Sequence, residues 1–155
     1  MTIRITAMLA DSAEAVNGKL YLLGGGWDTL AVTQLPTVQS RVAVAVLVHT
    51  GWNDTDEPHE VTLHLETEDG LRIPLARNPA DPSRPIDTLA TRLTTHRSPL
   101  IRPGDDQAVP LTFTVNDLLL ERAGGFSWVI GVDGDPAERL PMRVLVREPE
   151  AGPLM

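Results

Sequence analysis

The chain has no cysteine, so disulfide staples and thiolate metal ligands are excluded, and a reducing cytoplasm is the expected setting. Aromatic residues are scarce, with three Trp, two Phe and one Tyr. Lysine is nearly absent: Lys19 stands alone beside 12 Arg. GC-rich codons produce that bias in a chain rich in Ala, Val, Leu, Asp, Pro and Gly. A bacterial source is therefore expected, and the arginine count is not itself a functional signal. Long apolar runs are missing as well. The longest, Val42–Val48, is far short of the roughly 20 residues of a membrane-spanning helix. Met1–Thr6 alternates like a strand and lacks the basic start and apolar stretch of a signal peptide. No membrane role is expected. Nor is there an excess of positive charge: a net −8 argues against nucleic-acid binding, which depends on Lys and Arg neutralising phosphates.

What remains is a globular composition, 42% hydrophobic and 22% charged, in 155 residues, enough for one domain with its own core. The domain is expected over residues 1–147, followed by a frayed tail over 148–155. Period-2 alternation recurs along the chain, and no helical stripe of convincing length appears. Ile3, Ile5, Ala7 and Leu9 form one inward row. A turn is expected over Asp11–Gly18, then a short strand Lys19–Leu23 interrupted by Gly24-Gly25-Gly26. Arg41–Val48 is apolar on both faces and reads as a central strand. Val61, Leu63 and Leu65 lead through the turn Glu68-Asp69-Gly70 into a hairpin with Leu71–Leu75. Three prolines between Asn78 and Pro85 argue against regular pairing there. Val109 to Val115, Phe126 to Val132 and Leu140 to Val146 supply the last rows, with a turn at Asp133-Gly134-Asp135. The expected fold is all-β, an antiparallel sandwich of nine or ten short strands. It holds at most one helical turn, placed at Asn116–Arg122. Ile5, Val44, Val46, Leu63, Phe113, Trp128, Ile130 and Val144 are the expected core.

Candidate sites are few. Gly24 and Gly26 match the first two glycines of a dinucleotide fingerprint, but its third position holds Thr29 and no helix follows, so a bulge or tight connection is the better reading. Asp54 and Asp56 in one loop, with Asp133 and Asp135 in another, offer oxygen ligands, yet neither segment fits a calcium loop. No metal and no cofactor are expected. Of four histidines, His59 and His64 fall on opposite faces of a regular strand. His49 ends a buried strand beside Gly51 and Trp52 and draws most interest. The five serines include no G-x-S-x-G elbow. Trp52, in a loop, and Trp27, beside the glycines, are with His49 the candidate ligand-binding residues. Thr50–Asp69 carries seven acidic residues and no Lys or Arg, whereas Arg72–Arg102 carries six Arg against two Asp. These segments either neutralise each other on neighbouring strands or register one subunit against another.

Two stretches resemble a known family. Met8-Leu9-Ala10-Asp11 with Gly18-Lys19-Leu20-Tyr21-Leu22-Leu23-Gly24-Gly25-Gly26-Trp27-Asp28 is similar to the opening of short, mainly actinobacterial proteins classed as a domain of unknown function. Gly125-Phe126-Ser127-Trp128 through Gly134 is similar to their closing strands. The resemblance implies a freestanding bacterial β protein and transfers no catalytic or binding residue. The leading functional expectation is a non-enzymatic interaction or structural module that self-associates as a homo-oligomer, the first strand being poorly protected if it lies at an edge. The alternative is a small-ligand or carbohydrate binder at one open end, near Trp52. A hydrolytic enzyme is third.

Overall fold

The structure, a computed structural model, describes residues 3–148; the expected tail beyond Glu148 lies outside them. The elements are β1 (Ile3–Val16), β2 (Lys19–Gly25), β3 (Thr29–Val32), β4 (Thr37–Thr50), a 3-10 turn (Trp52–Asp54), β5 (Pro58–Thr67), β6 (Arg72–Ile73), β7 (Ala76–Asn78), β8 (Asp81–Ile86), β9 (Thr88–Thr94), β10 (Gln107–Leu120), β11 (Gly124–Val132) and β12 (Asp135–Val146). One sheet has the order β10-β4-β1-β2. The other runs β3-β12-β11-β5-β6, with β9 also on β5. Pairing is antiparallel throughout, except that β3 runs parallel to β12. β7 and β8 form a small hairpin of their own.

The fold is all-β, as the alternation requires. Inward rows from both sheets meet in one cluster that includes Leu9, Val44, Val46, Leu63, Phe113, Trp128 and Val144. All eight expected core residues are buried, with Trp128 wholly inaccessible. Its indole Nε1 donates to Met142 Sδ at 3.3 Å, which gives the one polar atom of a large buried ring a partner. Arg41–Val48 is central as expected, with β4 paired to β1 on one side and β10 on the other.

The structure departs from expectation at several places, each for a local reason. β1 does not turn at Asp11 but continues to Val16. Asn17 and Gly18 both adopt left-handed φ, 51° and 71°, and a two-residue turn of that kind suffices to close a hairpin. The glycine triplet does not end β2 at Leu23, because the strand runs to Gly25. Gly24 (φ 60°) is required there, since the Asp11 carboxylate fills the space a Cβ would take. The proline-rich stretch pairs only irregularly, as β7 with β8 with a register shift between Arg77 and Asn78, in a two-stranded hairpin whose outer edges let proline lose no ladder bond. Asn116–Arg122 is not helical: Leu118 and Leu120 are buried and pair with Gln39 and Thr37. The single left-handed residue Asp117 (φ 53°) is what the turn signal there produces. The helical turn sits at Trp52–Asp54 instead, and the short β6, β7 and β8 bring the strand count to twelve.

Trp128→Ala removes the largest fully buried side chain, and is expected to cost about 3–5 kcal/mol. A denaturant melt showing a loss under about 1 kcal/mol would contradict its place in the core.

Candidate functional site

Two places in the molecule hold chemistry or exposure that packing alone does not demand. The first is the end of the sandwich where β4, β9 and β11 finish and β5 and β10 begin. Here the backbone must leave both sheets, so its polar groups need partners. Asp133 and Gly134 (φ 51° and 90°) form the tight turn between β11 and β12, and that turn points the Asp133 carboxylate back at β5. One oxygen accepts from the Glu60 N–H at 2.9 Å, and the other lies 2.7 Å from His59 Nδ1. His59 Nε2 lies 3.0 Å from the Asp54 carbonyl oxygen. Both neighbours of the ring are acceptors, so only the doubly protonated imidazolium satisfies both contacts. Burial, which disfavours that cation, is outweighed by the Asp133 and Asp54 hydrogen bonds and the attraction of both carboxylates, and the His59 pKa is raised. Asp133 is lowered in turn, first by the His59 hydrogen bond and then by the Glu60 N–H.

Around this pair the loops interlock. Thr50 and Thr95 hydroxyls meet at 3.1 Å, tying the end of β4 to the segment after β9 and so one sheet to the other. Arg97 stacks over the Trp52 ring at 3.8 Å, and its Nε donates to Thr55 Oγ1 at 3.0 Å. The Trp52 face on that side is therefore occupied by the chain's own guanidinium. His49 stands apart on β4, half-buried, with Nε2 3.0 Å from Thr6 Oγ1. Trp27 lies ahead of β3 and packs on the main core. Its Nε1 is buried without a hydrogen-bond partner among the described residues. His49, Trp27 and Trp52 are not brought together. Asp54 and Asp133 both meet His59, Asp56 lies by His96 at 3.4 Å, and Asp135 opens β12. Among the described residues, no three His, Asp or Glu side chains form a group able to hold a metal ion.

The opposite-sign segments lie on neighbouring strands of the same chain: Glu60 is in register with Arg92, and Glu66 with Arg72. Their closest ion pairs go elsewhere, Glu66 to Arg139 at 2.6 Å and Arg72 to Asp87 at 3.8 Å.

The second place is the margin formed by β2. β2 pairs with β1 from Ala10 to Val16, while the Ile3–Leu9 half of β1 is paired with β4 alone. β2 ends the four-stranded sheet. Tyr21 is 55% exposed, Leu22 36% and Leu23 72%. With Ser12, Ala13 and Glu14 of β1 they line a shallow open concavity.

The fold and these surfaces define an all-β domain of two packed sheets. The family model described as "Family of unknown function (DUF6941)" matches residues 5–145, and the chain belongs to that family. Comparison with curated proteins found no match. Among solved structures, the chain is similar to the Pseudomonas fluorescens alkylpurine DNA glycosylase AlkC bound to DNA containing an abasic site analog. Identity is 8% and the TM-score 0.41, over 93% of this chain and 30% of that one. The chain thus spans less than a third of that protein, and a likeness of this strength carries no argument about function. No helix is long and apolar enough to cross a membrane among the described residues.

The His59–Asp133 pair sets a pH dependence. The raised His59 contributes stability that is complete below its ordinary value of 6.5 and is lost as pH rises through the folded value. The lowered Asp133 contributes above its ordinary 3.8 and loses that contribution as pH falls through its own. Stability is therefore expected to decline as pH rises from 6.5 through the raised His59 value, and Asp133→Asn to flatten the decline. The difference should be about 1 kcal/mol or less, since Asp133 is 37% exposed and water screens the pair. Denaturant melts across that range, showing equal slopes for both proteins, would contradict the assignment.

Proposed function

We propose that this protein is a non-enzymatic interaction module whose working surface is the open β2 margin of the four-stranded sheet. The observation that carries the reading is the contrast between β2 and the other edges. An edge strand presents unpaired N–H and C=O groups, and proteins ordinarily blunt such edges with proline, charge, bulges or shortness. β10 carries Pro110 and the left-handed Asp117. β3 has four residues and β6 two. β9 carries Arg92. From Leu20 to Gly25, β2 has neither charge nor proline, and it exposes two leucines and a tyrosine. Strand addition suits such an edge: main-chain hydrogen bonds supply affinity, and alternate side chains supply specificity.

The polar end of the sandwich supports a structural role for itself. Each heteroatom of the His59–Asp133 pair is engaged within the chain, and Trp52 is stacked under Arg97. A carbohydrate at that end would first have to displace the guanidinium.

Leu23→Lys places a charge at the centre of the apolar margin while touching no core residue. It is expected to change folding stability by no more than about 0.5 kcal/mol. The wild-type protein, purified natively from its source cell, is expected to carry a stoichiometric bound chain, its own or another. Binding of that chain should slow hydrogen exchange at the β2 amides, and Leu23→Lys should be recovered without it. Identical bound chains and identical β2 exchange in the two proteins would refute the reading.

A further inference from the structure

We infer that a notch on the outer face of the sheet containing β11 and β12 binds a free α-amino acid with a cationic side chain. It lies on the other sheet from β2 and does not depend on that margin. The notch originates in a missing side chain. Trp128 and Ile130 of β11 point into the core, so Gly125, Ser127 and Val129 fall on the outer face. Gly125 is opposite Arg143 of β12. Glu68 follows Thr67, which is opposite Phe126, and its carboxylate lies over Gly125 in the space a Cβ would fill. On the far side of Arg143, the Asp28 carbonyl accepts from the Arg143 N–H at 2.7 Å. Glu68, Gly125, Arg143 and Asp28 thus form one row. With Ser127 and Pro141 alongside, they line an open concavity of about 250 Å³. A glycine within a strand commonly marks a place of close approach, by a ligand among others.

The charges of this row are held apart, whereas a comparable pair on the same face is closed. Glu66 and Arg139 also flank β11, opposite Ser127 and Val129, and they meet across it at 2.6 Å. Glu68 and Arg143 flank β11 with only a glycine between them. Among the described residues, neither side chain has a hydrogen-bond or ion-pair partner, and the Ser127 hydroxyl has none. Asp28 accepts only from the neighbouring Thr29 hydroxyl, at 2.9 Å. The row therefore presents an anion, a cation and a second anion in order. Its complement carries two cations about one carboxylate. An amino-acid carboxylate suits the Arg143 fork, its α-ammonium suits Glu68, and a cationic side chain reaches Asp28. Glu68 over β11 and Asp28 beyond β12 are about two strand spacings apart, roughly 10 Å. A four-carbon amine side chain covers that span with a hydrogen bond at each end. Pockets for drug-sized ligands run to about 300–1,000 Å³, so this smaller notch does not suit a nucleotide or an oligosaccharide. The net charge of −8 draws cationic solutes towards the chain.

Titration with L-lysine at constant ionic strength, followed by backbone amide resonances, tests the site. L-lysine is expected to bind with a Kd of about 1 mM, as suits a few solvent-exposed charge contacts, and to shift the amides of Gly125, Ser127 and Arg143. L-norleucine lacks the side-chain cation and cadaverine lacks the carboxylate. Each should bind at least about tenfold more weakly. Arg143→Gln should abolish the preference for L-lysine over cadaverine, and Asp28→Asn the preference over L-norleucine. Glu68→Gln should weaken L-lysine and L-norleucine alike. All of these side chains are exposed, so each variant should melt with the wild type. No shift at those amides up to about 10 mM L-lysine would overturn the inference. So would equal binding of L-lysine and L-norleucine, or L-lysine binding that every variant leaves unchanged.

Discussion

The strand Val42–Val48 is apolar on both faces, and that one constraint organises the molecule. A strand of this kind cannot stand at an edge or lie under solvent on either side. Its valines must be covered by a second sheet, which fixes Trp128, Ile130, Leu63 and Val144 as the facing layer. Its alanines fall on the other face, where Ala43 and Ala45 are closed off with Ala10 and Ala13 against Leu20. Both of its edges must also be occupied. β10 takes one along thirteen registered pairs and β1 takes the other along eight. β4 holds β1 from Ile3 to Ala10, and β2, joined to β1 by a two-residue turn, pairs with the half from Ala10 to Val16.

The same architecture explains why a dense polar cluster sits at one end. Two packed sheets bury their faces but leave their ends open, and seven strands (β1, β4, β5, β9, β10, β11 and β12) start or stop at this one. Water would enter between the sheets unless the loops close over it. The chain closes them with short-range groups from both sheets: Thr50 to Thr95, Asp133 to His59 and Glu60, and Arg97 across Trp52. An imidazolium held between a carboxylate and a carbonyl is a costly group to place under a loop unless every donor is met. Here both ring nitrogens are met. The cluster has the form of a seal, not of a site with an open coordination or reaction position.

Much of this was legible in the sequence, and the failures share one cause. Alternation names the inward rows, because the period of a strand is fixed by its geometry, and it located Trp128, Ile130 and Leu63 correctly. The central place of Arg41–Val48 followed from its two apolar faces. What alternation does not encode is where a strand stops. Asp11 and Gly24 look like turn residues but are opposed within one ladder, and Asn116-Asp117 look like a helix cap but bend a strand. The buried polar cluster was missed for a related reason. His49 attracted attention because it adjoins Gly51 and Trp52, whereas the buried histidine is His59, whose partner Asp133 is 74 residues away. The Asp133-Gly134 turn was readable. That its carboxylate folds back onto β5 depends on β5 pairing with β11, which is tertiary information.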